Sequence, residues 1–126
     1  MNKVDNKLRY RFEQALKEWG EHCGDDSVQI QSDITRYLDC KGYKKLKAMG
    51  TQILPLIREI YSPEYFKQRG IIKDRGLATV KELGLVCLVS DLCGEDFKVP
   101  ENIQGRVTAM KQFTAGWLDF NMHKYF

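Results

Sequence analysis

Apolar residues return every three or four positions along much of this chain, a spacing that predicts helices joined by short polar connections. Leu8, Phe12, Leu16 and Trp19 line one face of a first helix over 4–19, with Arg9, Arg11, Glu13, Lys17 and Glu18 largely off that face. Gly20 and the run "CGDD" at 23–26 are read as its end. Residues 27–31, "SVQIQ", alternate polar and apolar and predict a short extended connector. Ser32 followed by Asp33 predicts an N-terminal cap, the hydroxyl accepting a free amide and the carboxylate facing the positive helix end. The second helix is short, buries Ile34, Tyr37 and Leu38, and ends near Lys41 and Gly42.

The most regular stretch, "YKKLKAMGTQILPLIREIY" at 43–61, predicts a helical hairpin. A third helix over 43–49 buries Tyr43, Leu46 and Met49 and turns Lys44, Lys45 and Lys47 mostly outward. Gly50 is expected to close it in a left-handed conformation, and Thr51 to cap a fourth helix carrying Ile53, Leu54, Leu56, Ile57, Ile60 and Tyr61. Pro55 falls in the first turn of that helix, where a missing backbone donor costs little, and Pro63 stops it. Residues 63–76 read as a loop with a helical turn at 64–67. A fifth helix over 77–93 is apolar around most of its circumference and is therefore expected at the centre. Residues 94–105 form a polar connection, and a last helix over 106–122 buries Val107, Met110, Phe113, Trp117 and Phe120.

Helices with short connections and no convincing strand pair predict an all-α fold, a compact bundle of five to six helices forming one domain over 1–126. A chain of 126 residues is long enough to bury a real core. The longest apolar run, "LGLVCLV" at 83–89, is far below the roughly 18 residues that cross a bilayer. The first residues alternate charges and lack a secretory hydrophobic region, so no membrane partner and a cytoplasmic location are expected.

Net charge is only +3, yet it is unevenly spread. Residues 41–75 hold nine basic against three acidic side chains, while the segments on either side are slightly acidic. Lys41, Lys44, Lys45 and Lys47, with Arg58, Lys67, Arg69, Lys73 and Arg75, could neutralise phosphates, and Tyr65 and Phe66 could stack on bases. A helix–glycine–helix arrangement is compatible with DNA reading. Against that, the second helix of the pair presents apolar side chains that suit a core, and its exposed polar positions are Gln52, Arg58 and Glu59.

Chemistry-bearing patterns are sparse. The chain has two histidines, His22 and His123, neither in a nucleophile motif, and its glycines match no phosphate loop. Cys23, Cys40, Cys87 and Cys93 form no CxxC pair and are expected as reduced, buried thiols rather than zinc ligands, although His22 and Cys23 with Cys40 are the nearest metal-type grouping. Asp91, inside the most apolar helix, is expected near the helix end and facing water. No catalytic residue, metal site or cofactor is expected on these grounds.

The segment 42–60, through Leu46, Gly50, Ile53, Pro55, Leu56 and Ile57, resembles the helical pair of HEAT-like repeat proteins. Ser32, residues 43–57, residues 88–97 and Trp117 together look like a loose group of small uncharacterised microbial helical proteins. The resemblance implies a scaffold in which Gly50, Thr51, Pro55 and Trp117 are structural. Unlike stacked arrays, the chain carries a single such pair. A non-catalytic module acting through an unidentified protein partner is therefore expected. The alternatives are a nucleic-acid-binding module using 41–75, and an enzyme with a Cys/His or carboxylate site assembled in space.

Overall fold

A computed structural model describes residues 6–24, 37–62, 80 and 84–124. Among these residues the fold is all-α. The α-helices, labelled in chain order, are α1 (Asn6–Cys23), α2 (Lys41–Met49), α3 (Leu54–Ile60), α4 (Leu85–Cys93) and α5 (Val107–Asn121). Single 3-10 turns lie at Gly50–Ile53, Gly94–Asp96, Glu101–Ile103 and Met122–Lys124. No described helix is long and apolar enough to cross a membrane. The expected connector at 27–31, the Ser32 cap, the loop at 63–76 and the start of the fifth helix lie outside the described residues, apart from Val80, which is buried.

Helix α1 forms on its predicted face, burying Leu8, Phe12, Leu16 and Trp19, but it runs on through Gly20 to Cys23. Glycine in a helix interior costs about 1 kcal/mol against alanine. Burying Trp19 at 0% and Cys23 at 1% exposure outweighs that cost. Helix α2 begins two residues earlier than the spacing predicts. Cys40 stands at its N-cap in an extended conformation, and its sulfur accepts the Tyr43 amide at 3.5 Å. Gly42 therefore opens a helix instead of ending one.

Gly50 closes α2 as expected and donates its amide to the Lys47 carbonyl, but at φ 75° and ψ −166° it is extended in mirror image rather than left-handed helical. Only glycine occupies that region without strain, and among the described residues an added Cβ would meet nothing within 4 Å. Gly50→Val should thus act through strain alone, lowering unfolding free energy by about 1–3 kcal/mol. A denaturant curve unchanged by the substitution would show that the turn relaxes freely.

Thr51 does not cap α3. The chain passes through the Gly50–Ile53 turn first, α3 begins at Leu54, and its N-cap, Ile53, makes no side-chain capping bond. What Thr51 supplies is its carbonyl, which accepts the Leu54 amide. Pro55 does sit in the opening turn of α3. Seven residues are too few to hold an isolated helix. Leu54, Leu56, Ile57 and Ile60 are each no more than 1% exposed, and burial at about 1.5–3 kcal/mol per side chain holds α3 in place.

The most extensive helix packing joins α1 and α2, with α4 against α2 and α5 against α3 and α4. Trp19 is the hinge of this core. Its ring meets Tyr43 edge-on at 4.9 Å, its indole N–H donates to the Tyr37 carbonyl at 2.7 Å, and Gly84 lies directly on its six-membered ring. Helix α5 turns a different face inward from the one its large apolar residues suggest. Thr114 and Leu118 are fully buried, Met110, Phe113 and Trp117 flank them, and Phe120 is 80% exposed. Thr114 is tolerated there because its hydroxyl donates to the Met110 carbonyl at 2.7 Å. Phe97, inside the polar connection, is buried and packs edge-on against Trp117 at 5.0 Å and beside Phe113 at 5.8 Å.

Candidate functional site

Lys41, Lys44, Lys45 and Lys47 all lie on exposed positions of α2. Three of them face carboxylates of this chain. Lys45 meets Glu18 of α1 at 2.8 Å, Lys44 lies 3.9 Å from Asp39, and Lys47 lies 3.8 Å from Asp91 of α4 and over the Tyr43 ring. Such exposed pairs contribute only about 0–1 kcal/mol each to stability. Their consequence is electrostatic, because each carboxylate offsets a charge that a phosphate would otherwise use. Lys41 makes no ion pair among the described residues. Lys67, Arg69, Lys73 and Arg75 lie outside the described residues.

The polar positions of α3 are also occupied. Arg58 binds both carboxylate oxygens of Asp119 on α5, at 2.8 and 3.2 Å, and that bond holds the Asp119 carboxyl below its ordinary range. Glu59 receives both terminal nitrogens of Arg9 at 3.0 and 2.9 Å, and Gln52 donates to the Met49 carbonyl. The three side chains that could read base edges therefore tie the turn and α3 to their neighbours. Asp91 is exposed near the end of α4, as expected, and it also accepts the Tyr43 hydroxyl. Burial, and then the Asp91 carboxylate, push the Tyr43 hydroxyl well above the usual range.

The Cys23, Cys40 and Cys87 thiols are poor nucleophiles in this setting. No disulfide joins the four cysteines. Burial pushes Cys23 up to about 12, with Cys40 adding to the effect, and burial with Asp91 raises Cys87. A raised pKa keeps sulfur protonated and unreactive at neutral pH. Cys87, Ser90 and Asp91 line a hollow of about 630 Å³ between α4 and the segment after it, with Phe97, Val99 and Met110 as apolar walls. No group of three metal-type ligands converges among the described residues.

A different surface opens between α1 and α2. A hollow of about 420 Å³ is lined on α1 by Tyr10, Arg11, Gln14, Ala15 and Glu18, and on α2 by Lys45, Ala48 and Met49. A second, of about 360 Å³, adjoins it and is lined by Asn6, Lys7, Tyr10 and Arg11. Tyr10 and Arg11 are common to both, and Tyr10 is 66% exposed. With Phe120, Tyr10 is one of the two large apolar side chains left exposed among the described residues. The sequence contains one signal for it: an aromatic residue between two arginines, off the stripe that Leu8, Phe12, Leu16 and Trp19 define. No protein-family model, curated protein or solved structure matches this chain.

Proposed function

We propose that this chain is a non-catalytic helical module that acts through protein–protein contact, using the α1–α2 face around Tyr10. The observation that carries the reading is a contrast between two surfaces. Three α2 lysines are matched by carboxylates of the same chain, while among the described residues the largely apolar hollow beside Tyr10 is open. An exposed aromatic residue beside a small-residue floor is the kind of anchor that dominates protein interfaces. On this reading α2, the Gly50 turn and α3 serve as a HEAT-like hairpin within a bundle of five to six helices. The domain spans the whole chain and works in the cytoplasm.

A photo-crosslinking residue in place of Gln14 tests this in the native host. The expected result is one or a few discrete protein adducts that disappear when Ala48→Glu fills and charges the hollow. Adducts to nucleic acid alone, or protein adducts indifferent to Ala48→Glu, would sink the proposal.

A further inference from the structure

The two hollows that meet at Tyr10 have a shape and a charge that narrow the partner further, an inference that rests on the protein-interaction reading above. Together they extend along α1 from Asn6 to Glu18, which at the helical rise corresponds to about 18 Å, or a little over three turns of a helix. Positions 10, 11, 14, 15 and 18 follow helical spacing along one side, and Lys45, Ala48 and Met49 do the same on the other. A groove bounded by two packed helices, with the small side chain of Ala48 on its α2 side, admits a third helix at close approach. Tyr10 stands where the two hollows join, the position of an anchor that a partner's apolar side chains would flank.

The net charge along this groove is positive. Lys45 and Glu18 offset each other at 2.8 Å, and Gln14 is neutral. Among the described residues Lys7 and Arg11 make no ion pair, so two positive charges beside Tyr10 are left uncompensated. We infer that the α1–α2 groove receives an acidic amphipathic helix of about three turns. Its small apolar residues seat against Ala48 and Met49, and its carboxylates face Lys7 and Arg11. Arg11 suits that role because its planar fork can bind a carboxylate through two parallel hydrogen bonds. The largely apolar groove and only two uncompensated cations favour a peptide over a nucleic-acid strand, which would need a longer track of basic groups.

The test uses the full chain and two fluorescent, hydrocarbon-stapled peptides of about four helical turns. Both carry one stripe of leucine and alanine, and their remaining positions are glutamate in one peptide and lysine in the other. The glutamate peptide should bind at least about tenfold more tightly, and less tightly as salt rises. Lys7→Glu with Arg11→Glu should reverse the preference, and Tyr10→Ala should weaken both peptides. These positions lie on the surface of α1, so unchanged thermal melts would show that the variants remain folded. Equal or tighter binding of the lysine peptide would overturn the inference, as would no binding of the glutamate peptide or its displacement by a single-stranded oligonucleotide. If that happens while the crosslinks from position 14 persist and respond to Ala48→Glu, only the acidic-helix partner is lost. If the crosslinks fail too, both readings fall.

Discussion

Replacing Trp19 with alanine is expected to remove about 3–5 kcal/mol of stability, the cost of deleting a large aromatic side chain from a core. Total stabilities of about 5–15 kcal/mol leave little margin for such a loss. Trp19 is wholly buried, and its ring touches Tyr43 of α2 and Gly84 at the start of α4, so one deletion loosens two helix contacts. The Tyr37 carbonyl also loses its indole donor but is still reached by the Cys23 thiol at 3.5 Å, so the lost bond adds only about 0.5–1.5 kcal/mol. Trp19→Phe is the milder change, since it keeps one aromatic ring in the core while removing the N–H and the rest of the indole. Denaturant curves should therefore rank wild type above Trp19→Phe above Trp19→Ala, with Trp117 fluorescence as an independent probe. A loss below about 1 kcal/mol for Trp19→Ala would mean that this packing does not hold the fold.

Gly42→Ala should destabilise by roughly 3 kcal/mol, the upper part of the range for overpacking. A Cβ at this position would stand 2.6 Å from the Ala15 carbonyl oxygen and 2.7 Å from the Trp19 amide nitrogen. Both atoms belong to the α1 backbone and cannot rotate away, so α1 and α2 would have to separate. Alanine's better helix propensity returns about 1 kcal/mol, too little to compensate. Gly116→Ala supplies the matched control, because Gly116 lies inside α5 with nothing within 4 Å of the added carbon. It should stabilise by up to about 1 kcal/mol. Opposite signs for two glycine-to-alanine changes in helices would identify close approach as the reason for Gly42; a shared sign would refute it.

The candidate surface was less legible in the sequence than the fold. The lysine run is exposed as its spacing predicts, but its carboxylate partners come from other elements: Glu18 lies on α1 and Asp91 on α4. Linear charge counting registers a basic segment and cannot register carboxylates that arrive from elsewhere. Tyr10 stands out only once α1 and α2 are paired, because an aromatic residue off a helix's apolar stripe could equally be covered by a neighbour. The same limit explains Phe97 and Phe120. Phe97 lies in a polar stretch without periodicity yet fills a gap beside Trp117, while Phe120 continues an apolar spacing yet faces solvent.

By itself the sequence determined the all-α class, the inner faces of α1 and α3, the positive-φ glycine after α2 and the placement of Pro55. All of these follow from local chemistry: periodic apolar side chains, a residue without a Cβ, and a ring that lacks a donor. Only the tertiary structure decided that α1 runs through Gly20, that Gly42 lies inside a helix, that Thr114 and Leu118 set the inner face of α5, and that three α2 lysines meet carboxylates. Each of these depends on which atoms approach from elsewhere in the chain. Close packing outweighs local preferences of about 1 kcal/mol per residue, and those preferences, with the charge count along the chain, are what a linear reading measures.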